Sequence, residues 1–302
     1  MKQSEFLKDI ASLTPYQKMK LQMFMIDALA LNEEDKDCRP KSCPYCKNQS
    51  KMIKKGFNHG KQRYQCKDCK HVFTYNSHTI TMYSKIERSM FQKIVLDTLS
   101  CVPIKTTAAD LNLSIPCIFE NRHKILCALE ELLLTEGVKL SGTIEIDETF
   151  ELESQKGSKN IKRKARKRGG PSQYRGLSHE QVCIVTTTDR NGHEIFKVVG
   201  YGKPTTDSIQ ENFGGMLVEN SIIYTDGAFC YDQLAEMSCC TLVQLKTHTS
   251  YNQVEHINTV NYIHSLIKER LASFRGVATK YMNRYMSLFV FLVDFKKWMI
   301  MK

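Results

Sequence analysis

The order of apolar and polar positions divides the chain into a helical first part and a mixed second part. Phe6, Ile10 and Leu13, then Leu21, Phe24, Met25 and Leu29, recur at helical spacing, so residues 1–37 are expected to form an N-terminal helical segment with no chemistry of its own. A second helical stretch covers 84–136, where Met90, Phe91, Ile94, Val95 and Leu99 form one apolar face and Ala108, Ala109 and Leu111 begin another helix. Ser114 then offers an N-cap and Pro116 an early helical position, and Ile118, Phe119, Ile125 and Leu126 continue the apolar pattern. This outline fits a helix-turn-helix whose second helix would expose Glu120, Asn121, Arg122 and Lys124; a plain helical hairpin is the alternative.

From about residue 141 the texture changes. Short β-like runs at 142–147, 182–188, 195–199 and 222–225 are followed by helical patterns at 228–236, 254–274 and 281–297, which predicts an α/β layered domain over 141–302. Between the first two runs lies KNIKRKARKR, seven of whose ten residues are Lys or Arg. It reads as a flexible loop, either solvated or holding DNA phosphates.

Charge and cysteine content sharpen this outline. At 302 residues the chain has room for two to three domains, and its formal net charge of +11 points to a polyanionic partner. The opening MKQSEFLKDI lacks the apolar core of a signal peptide, and the late apolar run from Leu288 to Val293 is far shorter than a membrane span, so a cytoplasmic protein without membrane contact is expected. There the twelve cysteines would be reduced, and a patterned subset would bind metal. Cys43 and Cys46 in CPYC and Cys66 and Cys69 in CKDC form two pairs separated by nineteen residues, the spacing of a zinc ribbon over 38–76. Four thiolates fill a tetrahedral shell and leave no open position, so the Zn²⁺ would be structural. Lys47, Lys51, Lys54, Lys55, Lys61 and Arg63, with Phe57 and Tyr64, make this ribbon suited to phosphate contact. Cys38, His59 and His71 fall outside the paired pattern.

Candidate chemistry lies in the second half. Asp147 stands at the end of an apolar run in IEIDETF, and Asp226 at the end of another in IIYTDGAF. Carboxylates at the tips of neighbouring strands can share a metal, although turns favour Asp in any case. In HINTVNYIHSLIKER the polar residues Asn258, Asn261, His264 or Ser265, and Lys268 recur at spacings of three and four, and so share a helix face that is either solvated or functional. His264 would orient a water or phosphate, or simply fill packing.

Taken in order, CPYC and CKDC, the basic helical stretch, IDET, RKRGG, YTDG, HINTVN, HSLIK and FRGVATKYMNRY resemble the bacterial insertion-sequence transposases of the ISXO-like zinc-ribbon group, over roughly residues 40–297. The resemblance implies an RNase H-like catalytic domain of the DDE type, preceded by the zinc ribbon and helix-turn-helix. By the same resemblance Asp147 and Asp226 are the first and second catalytic metal ligands, Asn261 occupies the third position and Lys268 is the helix lysine. Asn261 departs from the acidic residue of the general pattern and brings an oxygen without charge. Glu148 would face the opposite side of the sheet, and Glu255 could substitute only if the helix began later. The implied cofactors are Mg²⁺ or Mn²⁺, activating a water and then a DNA 3′-OH for in-line displacement. The implied partners are double-stranded DNA, as element terminal repeats and target, and further copies of the chain in a nucleoid-associated homo-oligomer. Two rival readings are a DNA-binding regulator without cleavage and a nuclease on the same core.

Overall fold

A computed structural model describes residues 40–300, apart from 41, 50, 59, 75, 76, 78, 79, 83, 162, 168, 169, 228 and 246–254 and the side chains of 135, 136 and 294–300. The helical segment expected over 1–37 lies outside the described residues. Two compact units divide between Leu96 and Asp97, inside helix α1 (Arg88–Leu99).

The N-terminal unit holds a three-stranded antiparallel sheet of β1 (Met52–Asn58), β2 (Lys61–Cys66) and β3 (Val72–Thr74), in that spatial order. Its core is small: Cys43, Tyr64, Cys66 and Phe73, with Cys46, Met52 and Cys69 against them. So little apolar burial cannot hold a fold of this size without another source of cohesion. Tyr64 is committed to the core, whereas Phe57, Lys51, Lys54, Lys55 and Lys61 are exposed.

The C-terminal unit is built on a five-stranded sheet in the order β6-β5-β4-β7-β8. β4 (Thr143–Leu152), β5 (Gln181–Asp189) and β6 (Glu194–Tyr201) form an antiparallel meander. β7 (Ile222–Thr225) and β8 (Thr241–Gln244) extend it parallel to β4. Parallel neighbours need crossover connections, and α4 (Thr206–Phe213) and α5 (Cys230–Met237) supply them. Both helices cover one face of the sheet, where Ile209, Phe213, Tyr231 and Leu234 pack with Ile144, Ile146, Val185 and Ile223. On the other face α6 (Asn258–Ser273) lies against β4 and β5, and α7 (Met282–Ile300) against β6. The mixed α/β architecture agrees with expectation, but α4 and β8 were not anticipated. α4 starts at a capping box in which Ser208, not an acidic residue, answers Thr205, so its sequence signature is muted.

Helices α2 (Ile104–Asp110) and α3 (Ile115–Glu136) meet at a turn with Asn112 at φ +50°, and the Ser114 hydroxyl caps α3 by accepting the Cys117 amide at 3.3 Å. α3 is more buried than the sequence predicts. Glu120 is exposed and Lys124 half-buried, but Asn121 and Arg122 are buried. The reason is that α3 lies along α7: Phe119 and His123 pack round Tyr281, and the Arg122 guanidinium sits 5.4 Å from the centre of the Phe274 ring. Spacing alone cannot distinguish a polar residue facing solvent from one facing a second helix. Among the described residues no helix is long and apolar enough to cross a membrane.

Candidate metal centres

The two cysteine pairs are built by the same local geometry. In the first knuckle the Lys47 amide donates to the Cys43 carbonyl and the Cys43 amide to the Asn48 carbonyl, both at 2.9 Å; in the second, Lys70 to Cys66 and Cys66 to His71 repeat the pattern at 3.1 Å. Lys47 and Lys70 both take φ +61°, the left-handed turn that closes each knuckle. Tyr45 from the first knuckle stacks on His71 after the second, with centroids 4.4 Å apart. The four Sγ atoms lie within 4.8 Å of one another, with Cys43 to Cys69 at 3.5 Å and Cys46 to Cys66 at 3.8 Å. A sulfur tetrahedron around Zn²⁺, with bonds of about 2.3 Å, has edges of about 3.8 Å, so the four residues fit this ion. The His71 amide favours the Cys69 thiolate, yet burial and the three neighbouring sulfurs push its pKa up to about 12.

In the C-terminal unit β4 is longer than the sequence predicts. β4 continues to Leu152, so Asp147 is not at its tip but mid-strand, paired across to Thr186 of β5. β7 is the short strand. Its parallel register on β4 ends at Glu145 opposite Tyr224, and continuing that register would bring Asp226 level with Asp147. Where β4 outruns β7 there is no backbone to separate the two faces of the sheet. Asp147, on the α6 face, and Glu148, on the α5 face, therefore reach the same place, and oxygens of Asp147, Glu148 and Asp226 lie within 4.8 Å of one another. Glu148, set aside at first because it points to the other face, does so and still joins the group. The buried Tyr231 hydroxyl of α5 donates to it at 2.8 Å.

This crowding has an electrostatic signature. Burial first, and then the Asp226 carboxylate, push the Asp147 carboxyl up to about 7. Burial also raises Glu148, against the pull of the Tyr231 hydrogen bond. Two buried polar atoms nearby have no hydrogen-bond partner among the described residues: the Thr186 hydroxyl, on the residue paired with Asp147, and Nε2 of His264. Clustered carboxylates with unsatisfied polar neighbours are the donor set a hard divalent cation takes up.

α6 is fastened to this strand by a residue that the sequence reading passed over. Glu145, two positions before Asp147 on the same face and 1% exposed, accepts the amides of Thr259 (2.9 Å) and Val260 (3.2 Å) and the Thr259 hydroxyl (2.9 Å). Arg190 and His256 approach the same carboxylate at 3.0 and 3.4 Å. The helix thus begins at Asn258, later than the expected 254, which itself lies outside the described residues; Glu255 is exposed and outside the acidic group. A buried acid two residues from a candidate ligand was the available signal. Glu145→Ala is expected to cost about 2–4 kcal/mol, combining a lost helix cap with buried donors left unmet. Urea denaturation checks this, and a loss below about 0.5 kcal/mol would show that other contacts hold the helix.

Further along α6, His264 is buried with Nδ1 3.8 Å from an Asp147 oxygen, beyond hydrogen-bond range. Burial and, after it, Lys268 depress its pKa to about 4, so the imidazole is neutral. Asn261 is exposed one turn earlier, and Lys268 is exposed one turn later. The Lys268 charge draws down the Glu151 carboxyl, which burial raises. The structure therefore brings Asp147, Glu148 and Asp226 into one group, sets His264 beside it and leaves Asn261 and Lys268 on the open helix surface.

Residues 139–294 match the ISXO2-like transposase domain. A relative 27% identical over 259 residues, covering 82% of this chain and 83% of its own length, is an uncharacterized protein in the transposable element ISH50 of Halobacterium salinarum. Among solved structures, the crystal structure of a pre-cleavage Mos1 transpososome aligns with 70% of this chain and 77% of its own, at 10% identity and a TM-score of 0.28, too slight a likeness to carry an argument. With more than half of its length inside the matched domain, the chain belongs to the ISXO2-like transposases.

Proposed function

We propose that this transposase is a metal-dependent polynucleotidyl transferase that cuts the ends of its element and joins them to target DNA, on an RNase H-like core. The observation that carries the reading is the meeting of Asp147, Glu148 and Asp226 where β4 outruns β7. Asp147 and Asp226 are the ligands for Mg²⁺ or Mn²⁺, with Glu148 within reach and steered by Tyr231. When bound, such ions make a water or a DNA 3′-OH nucleophilic and stabilise the departing oxygen. Asn261 adds a neutral oxygen from α6 and Lys268 holds a phosphate of the bound strand, both on the helix strip that His264 shares. His264, neutral and buried, orients a water or phosphate through Nε2. The zinc ribbon over 38–76, with its exposed lysines, and the first two turns of α3, where Ile115, Pro116 and Glu120 are exposed, contact double-stranded DNA in an assembly of several copies.

The deciding experiment supplies labelled double-stranded element ends and a target plasmid to the purified chain with Mg²⁺ or Mn²⁺, beside Asp147→Ala. Joined product that vanishes in the variant is expected. Cleavage without joining would replace the reading with a nuclease, and binding without cleavage with a regulator.

A further inference from the structure

The basic run between β4 and β5 is not uniform. Arg163 and Arg166 are half-buried and turned inward, whereas Lys159, Lys164 and Lys167 are exposed. Arg163 Nε lies 3.3 Å from a Glu153 carboxylate oxygen, and its Nη2 donates to the Glu153 carbonyl at 3.2 Å, which Arg166 also engages. Arg166 Nη1 stands 3.6 Å from a Glu180 oxygen, an ion-pair approach without a hydrogen bond, and Glu180, 4% exposed, accepts from the Ser172 hydroxyl and the Gln173 amide, each at 2.8 Å. The root of the loop is tied on its other side. Ser154 and Thr279 exchange two hydrogen bonds of 2.9 Å, and the Lys156 ammonium donates to the carbonyls of Arg275 and Gly276 at 3.1 Å.

A loop serving only as diffuse positive charge would be weakened by carboxylates placed against it, since each cancels a cation. Here one acid just past β4 and another just before β5 grip two arginines, and arginine is the residue whose rigid fork can hold several acceptors at once. We propose that Glu153, Glu180, Arg163 and Arg166 form a clasp that turns the basic loop into a fixed arm, so that Lys159, Lys164 and Lys167 grip duplex phosphates at a set distance from the acidic group. This rests on the transposase reading given above. The six residue steps from Asp147 to Glu153 span roughly 20 Å of extended chain. Along duplex DNA the same length is the rise of about six base pairs.

The test uses the full chain. Hydrogen exchange over 153–170 is measured without DNA or metal, and DNA affinity as a function of salt and cleavage at saturating DNA are measured separately. Arg163→Lys with Arg166→Lys keeps every charge, so the salt slope should hold while loop exchange quickens at least tenfold and cleavage falls at least tenfold. Lys159→Gln, Lys164→Gln and Lys167→Gln together should leave exchange unchanged and reduce the salt slope by about 2.7, the value for three lost phosphate contacts. If the double-lysine variant misfolds, Glu180→Gln, which keeps all the cations, should quicken exchange in the same way. Wild-type exchange in both clasp variants overturns the proposal. So does a drop in salt slope of about 1.8 for Arg163→Gln with Arg166→Gln at unchanged exchange, which would make the arginines phosphate ligands. Because exchange needs neither DNA nor cleavage, inactive wild-type protein would count against the transposase reading and not against the clasp.

Discussion

Asp226→Asn protein should bind element-end DNA within about twofold of wild type and cleave it on the order of 10³-fold more slowly, a loss of about 4 kcal/mol of transition-state stabilisation. Asp226 is exposed just beyond β7, so an isosteric amide disturbs no core packing. What changes is one of three carboxylates that share a space a few ångströms across. Asp147→Asn should have a similar effect on cleavage, with an added structural cost because Asp147 is buried beside Thr186. Asn261→Asp acts in the opposite sense and should keep or raise activity by adding charge to the third position. Single-turnover cleavage and gel-shift titration separate chemistry from binding. Near-normal cleavage by both Asp variants would end the catalytic assignment.

Chelation of zinc, or Cys66→Ser, should unfold the ribbon and sharply reduce DNA binding. The ribbon core contains Tyr64, Phe73 and the cysteines, with Met52 against them, too little apolar surface to offset the entropy of ordering its knuckles and three strands. A structural zinc site contributes about 10–16 kcal/mol of apparent binding free energy at neutral pH, so removing it should leave no stable fold. Wild-type protein should contain one zinc per chain. Amide protection over 52–74 should disappear on chelation, and protection that survives would show that the metal is dispensable.

Four of the five strands of the larger sheet, the cysteine pairs and the meeting of the two aspartates were legible because each leaves a periodic or paired mark. The misreadings have distinct physical causes. In TIEIDETFEL the residues Ile144, Ile146, Phe150 and Leu152 keep strict alternation to the end of β4, and only Glu148 interrupts it. That interruption read as the end of the strand, when it was an acid occupying an apolar-face position at the site itself. Local rules fail most often where chemistry demands it. Arg122 failed for a different reason: it is covered by Phe274 and Tyr285, each more than 150 residues away in sequence, and no local pattern encodes those neighbours. The clasp was hidden likewise, since the charge run shows seven cations but not which of them meet Glu153 and Glu180.

Glu145 has a consequence for how such a protein can vary. The grip of this carboxylate on the first turn of α6 sets the height and bearing of the helix from the strand side, without help from residue 261. The side chain at 261 can therefore drift among asparagine, aspartate and glutamate while the scaffold beneath it stays in place. If residue 261 is the third metal ligand proposed above, such exchanges would alter the charge offered to the ion and leave the seat of α6 on β4 unchanged.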